Sequence, residues 1–161
     1  MPCMNTVKTW QTHSSSSADT SKIGEQLGFA CSGGEVIVLA SDLGGGKTTL
    51  VKGIAKGMGS LDKVGSPTFT LNKVYKCAGG KTLQHFDFYR LSEPGVVAME
   101  LAEFLDDPKA VVVVEWGDIV KDELPKDRLE IEIKPTPDDE NARQLVFNFP
   151  EKLSYLLKDL Q

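Results

Sequence analysis

The sequence has few cysteines and no long hydrophobic run. Cys3, Cys31 and Cys77 are odd in number and widely spaced, and none forms the C-x-x-C pair of a zinc ribbon or redox motif. The longest apolar runs, Val36–Ala40 and Ala110–Val114, contain five residues each, whereas a membrane helix needs about 20. The N-terminal segment also lacks the apolar centre of a signal peptide. These absences predict reduced thiols, no membrane helix and a cytoplasmic protein.

The sequence also lacks an excess of basic residues. It has 18 Lys and Arg against 23 Asp and Glu, a formal net charge of −5, and its pI is about 5.1. A protein whose main task is to grip the phosphate backbone of a nucleic acid needs a basic surface that displaces counterions. The composition argues against such a task, although it leaves room for a partner that itself holds RNA.

The length and composition are those of an ordinary globular domain. The chain has 161 residues, of which 40% are apolar and 25% charged, and a chain of this size can bury a core without disulfide or metal staples. We find no internal repeat and no linker, so residues 1–161 are expected to form a single domain. Residues 1–18 are expected to contribute a short strand and a flexible, serine-rich loop around Ser14–Ser17.

Hydrophobic periodicity predicts alternating strands and helices. The β-branched runs Val36–Ala40 and Ala110–Val114 are typical of parallel strands buried on both faces, whereas the alternating Leu129–Ile133 and Leu145–Phe149 are typical of half-exposed antiparallel strands. Further strands are predicted at Thr6–Thr12, and at Asn72–Lys76 and Thr82–Tyr89 around a turn at Ala78–Gly80. The expected fold class is α/β, a P-loop NTPase-like three-layer fold whose mixed central sheet has a parallel core, antiparallel edge strands and few helices.

Capping and breaker residues set the predicted helices and loops. One helix is expected to start from an N-cap at Asp19 or Thr20 and to stop at Gly33 and Gly34. A second runs from Lys47 to Gly59, and the tail Glu151–Leu160 has helical spacing. Because Leu91–Leu105 contains Pro94 and Gly95, we expect a loop with one or two short helical pieces there, and Pro135–Asn141 is expected to be an acidic loop.

The segment S-D-L-G-G-G-K-T, residues 41–48, has the pattern of a phosphate-binding loop. In such a loop the backbone amides surround phosphate oxygens, the lysine reaches the β- and γ-phosphates and the hydroxyl holds magnesium. G-K-[ST] alone occurs by chance in roughly one chain of this length in ten, but here it follows a buried strand and opens an amphipathic helix. The predicted nucleotide-binding residues are Asp42, Leu43, Gly44, Gly45, Gly46, Lys47 and Thr48.

One position departs from that pattern, because Ser41 stands where the first glycine is expected. A Cβ atom at the end of the strand can hinder the backbone turn that glycine allows. We expect a slightly altered path at the start of the loop and a retained phosphate cradle, with the effect on nucleotide affinity left open.

Hydrolysis of a nucleotide also needs a carboxylate for magnesium and a group that orients the attacking water. Glu115 ends a buried strand, at the sheet edge where open α/β sheets bind ligands. Asp87 lies late in another predicted strand. The alternative for each is an exposed loop carboxylate, and which of the two positions the water stays open.

The stretch Ser66-Pro67-Thr68 and the two residues after it are rich in hydroxyl groups and bent by proline. Its place between the loop-bearing helix and the hairpin suits a switch that senses the γ-phosphate or magnesium. The alternative is a plain connecting loop.

Four motifs together resemble the TsaE (YjeE) family of small P-loop ATPases of bacterial tRNA threonylcarbamoyladenosine (t6A) biosynthesis. They are S-D-L-G-G-G-K-T-T-L-V-K-G-I-A, V-G-S-P-T-F-T-L, H-F-D-F-Y-R-L and V-V-V-V-E-W, in the family's order and spacing, and the likeness spans about Thr20 to Arg143. Gly45 stands where the family usually has alanine, and Gly117 where it often has proline.

The resemblance implies a magnesium-dependent ATPase required for threonylcarbamoylation of adenosine 37 in tRNAs reading ANN codons. It would act with a TsaB and TsaD type complex that performs the transfer and contacts the tRNA, with no membrane involved, and would be a monomer or weak oligomer when alone. Lys47 and Thr48 match the P-loop lysine and magnesium ligand, Thr49 matches a hydroxyl near the α-phosphate, and Thr68 matches the centre of the first switch. The acids of the family's H-x-D-x-Y-R and E-W motifs match the two candidate carboxylates, so the expected catalytic residues are Glu115, Asp87 and Lys47, and the expected magnesium site is Thr48, Asp87 and Glu115.

Several nearby residues have a plainer interpretation beside a functional one. His85 is expected to be a structural residue rather than a proton donor. Trp116 is expected to pack beside the site rather than stack on adenine, while Arg90 could act on phosphate or on a partner's carboxylate.

Two other classes of function compete with the ATPase hypothesis. A small-molecule kinase usually needs several lid arginines, and this chain has only Arg90, Arg128 and Arg143. A GTPase would need N-K-x-D, and Asn72-Lys73-Val74-Tyr75 lacks the aspartate. The alternative that stays open is a noncatalytic, nucleotide-dependent protein-binding module of the same fold.

Overall fold

A seven-stranded mixed sheet forms the centre of the structure, a computed structural model that describes residues 6–41, 46–62, 72–88 and 95–161. The strands are β1 (Val7–Ser14), β2 (Val36–Ala40), β3 (Asn72–Lys76), β4 (Thr82–Asp87), β5 (Ala110–Glu115), β6 (Leu129–Thr136) and β7 (Asp139–Pro150). The α-helices are α1 (Ser17–Ala30), α2 (Lys47–Gly57) and α3 (Gly95–Leu105), and the 3-10 helices are η1 (Ala78–Gly80), η2 (Gly117–Glu123) and η3 (Glu151–Leu157).

The strand order is β1-β7-β6-β2-β5-β4-β3. The four central strands β6, β2, β5 and β4 run parallel to one another. At the two margins, β7 pairs antiparallel with β6 and with β1, and β3 pairs antiparallel with β4. β5 is buried at all six positions, as a continuous β-branched run in a parallel sheet requires. The predicted fold class, with its parallel core and antiparallel edges, is confirmed.

The sheet is covered on both faces, which gives three layers. α1, α2 and η3 bury one face, with Leu27, Leu50, Ile54 and Leu156 in the core. α3 and η2 bury the other face around Leu101 and Val120. Alternation along a strand sends successive side chains to opposite faces, so Val111 and Val113 of β5 join the first core and Val112 and Val114 join the second.

Glycines bring α1 and α2 into backbone contact. A Cβ atom on Gly28 of α1 would lie 2.1 Å from the Ile54 carbonyl oxygen, and one on Gly53 of α2 would lie 2.1 Å from the Ser21 carbonyl oxygen. A Cβ atom on Gly24 or Gly57 would also lie within 2.4 Å of a backbone oxygen of the other helix. The helix that starts at Lys47 is therefore fixed against α1 through its backbone.

The expected start of α1 is wrong, and the serine run is structured. The N-cap is Ser16, whose hydroxyl accepts from the Asp19 N–H, so Asp19 and Thr20 lie inside the helix. Ser14 ends β1 with its hydroxyl bonded to the Ser16 carbonyl oxygen at 2.7 Å. The helix also ends earlier than Gly33 and Gly34, at Ala30, because those glycines (φ 111° and 86°) turn the chain into β2.

Four other boundaries differ from the sequence prediction. Gly95–Leu105 is one helix of 11 residues, longer than the one or two short pieces expected. Most of the expected loop Pro135–Asn141 lies in the strands β6 and β7, whose ladder extends to Thr136 opposite Asp139. The tail folds as the 3-10 helix η3. β4 ends at Asp87 rather than at Tyr89. Tyr89 and residues 91–94 lie outside the described part of the chain.

Among the helices that the structure describes, none has the length and apolarity of a membrane span.

Candidate functional site

The candidate site begins where β2 ends and α2 begins. Ser41 follows the last residue of β2, and Lys47 is the first residue of α2. Gly46 is the N-cap residue, with the left-handed φ of 103° that favours glycine. A buried parallel strand followed by a short connection and a helix is the framework of a phosphate-binding loop, as the sequence predicted. Asp42, Leu43, Gly44 and Gly45 lie outside the described residues.

Lys47 is held against the end of β2. Its side chain is buried, with the residue 7% exposed, and its Nζ donates to the Ser41 carbonyl oxygen and the Ser41 Oγ, both at 3.1 Å. The ammonium also lies 4.7 Å from the centroid of the Trp116 ring, a cation–π distance. The lysine thus links the strand before the loop to the segment that follows β5.

Asp87 and Glu115 are direct neighbours in the sheet. They are register partners at the carboxyl ends of the parallel strands β4 and β5, and the Phe88 N–H donates to the Glu115 carbonyl oxygen at 3.1 Å. The pleat places both on the same face as Leu83 and Val113, which is the face covered by α2. Glu115 is buried and Asp87 is half-buried. The expected strand-end placement of the two carboxylates is confirmed.

His85 lies against Glu115 and is fully buried. Its Nε2 is 3.1 Å from Glu115 Oε1, across the β4–β5 pair. Its Nδ1 has no hydrogen-bond partner among the described residues. Sequence reasoning treated His85 as structural and missed this contact, although its position two residues before Asp87 puts it on the same face of β4.

Trp116 has an unusual backbone conformation. With φ 59° and ψ 46°, it is the one non-glycine residue of positive φ in the described ranges. Such a conformation costs about 1–3 kcal/mol and is found most often at functional sites. The half-buried side chain packs against the α3-side core, and that it packs beside the site rather than stacking on adenine stays a prediction.

The remaining predicted residues divide between described and undescribed segments. Thr48 and Thr49 lie half-buried in the first turn of α2. Ser66, Pro67 and Thr68 of the predicted switch, and Arg90, lie outside the described residues. In the described part of the chain, no group of three or more His, Cys, Asp or Glu residues is arranged to hold a metal ion.

Comparison with known proteins matches one family over most of the chain. The family model "Threonylcarbamoyl adenosine biosynthesis protein TsaE" matches residues 14–145. The tRNA threonylcarbamoyladenosine biosynthesis protein TsaE of Bacillus subtilis is 41% identical over 114 residues, which cover 71% of this chain and 69% of the relative. The one from Streptomyces coelicolor is 40% identical over 116 residues, covering 70% of this chain and 76% of the relative.

A solved structure has a fold similar to that of this chain. The crystal structure of Bacillus subtilis YdiB has a TM-score of 0.78 and 31% sequence identity to this chain. The likeness covers 98% of this chain and 97% of that one.

Proposed function

Since the chain belongs to the TsaE family, whose members act in threonylcarbamoyladenosine biosynthesis, we propose that it is a magnesium-dependent ATPase of that pathway. It supports threonylcarbamoylation of adenosine 37 in tRNAs that read ANN codons, and a partner complex performs the transfer itself. The observation that carries the proposal is the position of Lys47, which begins a helix that follows a parallel strand. Its ammonium lies 4.7 Å from the ring of Trp116, the residue that follows the strand-end carboxylate Glu115.

Nucleotide binding is assigned to the start of α2. The positive end of a helix and its free amides attract phosphate oxygens, and Gly46 leaves that end open for them. The Lys47 ammonium moves from Ser41 to the β- and γ-phosphates when ATP binds. The loop amides of residues 42–46 and the hydroxyl of Thr49 complete the phosphate contacts.

Magnesium fits the oxygen donors nearby. Thr48 offers a hydroxyl, and Asp87 and Glu115 offer carboxylates on adjacent strands. Oxygen ligands, with one or two carboxylates and phosphate oxygens, are what Mg²⁺ takes in nucleotide sites. When bound, the ion neutralises charge on the β- and γ-phosphates. Thr48 and Asp87 would hold it directly, and Glu115 would lie beside it.

Hydrolysis requires a group that activates water, and we assign this role to Glu115. The water oxygen forms a bond to the γ-phosphorus while the bond from that phosphorus to the β–γ bridging oxygen breaks. Glu115 takes a proton from the water, and the electron pair of the broken bond stays on ADP, which leaves ADP and inorganic phosphate. Burial of the carboxylate among apolar strand residues keeps bulk water away from it.

The partners proposed for this chain are a TsaB and TsaD type complex in the cytoplasm. The net charge of −5 supports indirect rather than direct contact with tRNA. Thr68 of the switch segment and Arg90 are proposed to respond to the nucleotide state and to contact the γ-phosphate or the partner.

Substitution of Lys47 tests nucleotide binding. We expect Lys47→Ala to weaken the affinity for ATP about 10- to 100-fold, because charge-assisted hydrogen bonds are worth roughly 1.5–3 kcal/mol each. Lys52→Ala is the matched control, since Lys52 is exposed on the same helix. Calorimetric titration with ATP and magnesium measures both, and unchanged affinity in Lys47→Ala would refute the phosphate assignment.

Substitution of Glu115 tests the catalytic part of the proposal. Glu115→Ala is expected to bind ATP and to hydrolyse it about 100-fold or more slowly, as for the loss of a general base. The rate is measured with the chain alone and with a TsaB and TsaD type pair, while modified tRNA is assayed in the same tube. Normal turnover in Glu115→Ala would transfer the water-activating role to Asp87.

One observation favours a second candidate function. Ser41, which replaces the first glycine of the loop, contacts the lysine that must reach the phosphates. If ATP binds but neither turnover nor tRNA modification responds to the partner pair, the chain acts as a noncatalytic, nucleotide-dependent binding module.

A further inference from the structure

The pair formed by His85 and Glu115 is buried inside the sheet. His85 is 0% exposed and Glu115 is 3% exposed, and the two side chains meet on the α2 face of neighbouring strands. The contact from Nε2 to Oε1, at 3.1 Å, is within hydrogen-bond distance.

Burial of the imidazole at this position carries a free-energy cost. Its Nδ1 has no hydrogen-bond partner among the described residues, and a buried polar atom without a partner destabilises a fold. The neighbours of His85 on this face include Leu83 and Asp87 in its own strand, and its register partners are Val113 in β5 and Lys73 in β3. Among the described residues, Glu115 is the hydrogen-bond partner of the imidazole, so the role of the ring lies in that contact.

We propose that His85 is the positioning residue of Glu115, a role that rests on the function proposed above for that carboxylate. A carboxylate that accepts a proton from water is ionised and can only accept hydrogen bonds, so Nε2 carries the hydrogen of this contact. The bond fixes Oε1 and the rotation of the carboxylate group, and it leaves Oε2 for the attacking water. His85 touches neither the nucleotide nor the water.

Three variants separate positioning from general support of the fold. His85→Met removes the donor and keeps a side chain of similar volume, while His85→Gln puts an amide donor at a similar distance along the side chain. Gln84→Met is the matched control, because Gln84 is a buried polar residue of the same strand that faces away from the site and bonds Asn72 and Thr82. The full chain is assayed for ATP hydrolysis with the partner pair, and ATP affinity is measured by calorimetry.

The expected pattern is a selective loss of rate. Removing a partner that orients a catalytic side chain typically costs 10- to 100-fold, so kcat for His85→Met should fall by about that factor while KM for ATP changes less than about threefold. His85→Gln should recover most of kcat, and Gln84→Met should match the wild type. Equal kcat in His85→Met and the wild type, or no recovery in His85→Gln, would overturn the proposal.

A spectroscopic measurement tests the contact without turnover. The chain contains two histidines, and His13→Asn leaves His85 as the single source of imidazole nitrogen NMR signals. Glu115→Gln in that background should shift the Nε2 resonance of His85, whereas an unmoved resonance would refute the contact. If the wild type shows no Lys47-dependent hydrolysis, the proposed function fails and this inference fails with it; wild-type hydrolysis with an unaffected His85→Met refutes the inference alone.

Discussion

Ser41 is the residue that sets this phosphate-binding loop apart from the usual motif. The sequence raised the concern that its Cβ would hinder the turn at the end of β2. The structure gives Ser41 no left-handed φ, since Trp116 is the one non-glycine residue with positive φ in the described ranges. The serine instead acts on the lysine, because its hydroxyl and carbonyl oxygens both accept from Lys47 Nζ.

We predict that Ser41→Gly binds ATP more tightly than the wild type. Lys47 must leave Ser41 to reach the phosphates, and removing one of its two hydrogen bonds to Ser41 lowers the free-energy cost of that movement. A hydrogen bond to a charged group is worth roughly 1.5–3 kcal/mol when it is fully lost, and water partly replaces it, so we expect a Kd about 3- to 10-fold lower. Calorimetric titration with ATP and magnesium measures the change.

Ser41→Ala is the control that separates the hydroxyl from the backbone. It removes the hydroxyl but keeps the Cβ atom, so tighter binding in both variants assigns the effect to the hydroxyl. The prediction is wrong if both variants bind ATP as the wild type does.

For individual residues, the sequence predicted those positions that follow from their place along the chain. Lys47 follows a glycine run, and Asp87 and Glu115 stand at the ends of apolar strands. The contacts of His85 and Ser41 depend on which strands are neighbours in space and on where a long side chain folds back. Spacing along one chain does not contain that information.

The contact between α1 and α2 governs how firmly the phosphate-binding helix is held. Gly24 and Gly28 of α1 and Gly53 and Gly57 of α2 let the two backbones touch. The pattern could have been noticed in the sequence, because both helices contain glycines four residues apart, and glycine inside a helix usually has a packing reason.

We predict that Gly28→Ala destabilises the protein although alanine is the better helix former. Helix propensity alone would stabilise by about 1 kcal/mol. The new Cβ atom, however, would lie 2.1 Å from the Ile54 carbonyl oxygen, and the backbone cannot move aside as a flexible side chain can. Overpacking of this kind costs about 1–3 kcal/mol, so we expect a net loss of up to about 2 kcal/mol and weaker ATP binding as α2 shifts.

Urea unfolding of Gly28→Ala and of the exposed control Lys22→Ala measures this balance. Lys22 lies on α1 and its side chain is exposed, so that variant reports propensity without the clash. A Gly28→Ala protein more stable than the wild type would show that the helices can separate at little cost.

The ends of α1 and β6 were not predicted correctly from local sequence signals, namely capping residues and loop composition. Ser16, Asp19 and Thr20 are all residues that cap helices, and only the three-dimensional path of β1 into α1 selects Ser16. The acidic stretch after Lys134 has loop composition, yet pairing with β7 extends β6 through it. Strand pairing is a long-range effect, and it overrides local preference where the two disagree.

The whole molecule is organised around one sheet that both cores share. Residues of β5 alternate between the α1–α2 core and the α3 core, so neither core can form without the central strands. That the chain forms a single domain stays a prediction, and it implies a single unfolding transition.

Glu35 connects distant parts of this architecture at the start of β2. Its carboxylate accepts from the N–H groups of Ser32 and Gly33 at 2.8 and 2.6 Å and from the Tyr155 hydroxyl of η3 at 2.6 Å. Burial raises the pKa of Glu35, but these hydrogen bonds lower it by more, so its pKa lies below the usual value for glutamate. The ionised form therefore stabilises the folded chain.

We predict that Glu35→Gln lowers the stability of the whole molecule in a pH-dependent way. At neutral pH the loss should be about 1–3 kcal/mol, because the glutamine amide turns a donor toward the donors of Ser32 or Gly33. A lowered carboxyl pKa contributes stability that is fully present above the unfolded value of about 4.3 and is lost as the pH falls through the folded value. The difference from the wild type should thus be constant from pH 7 to about 5 and shrink below it.

Two tryptophans allow each core to be followed during this experiment. Trp10 packs against the α1–α2 core, with its ring 5.3 Å from that of Phe147, and Trp116 packs against the α3 core. In Trp10→Phe and Trp116→Phe backgrounds, urea unfolding by fluorescence should give one shared midpoint, and Glu35→Gln should shift both reporters equally. A shift confined to one reporter would mean that the cores unfold separately, and an equal loss of stability at pH 7 and pH 3 would mean that the Glu35 carboxylate does not act through its charge.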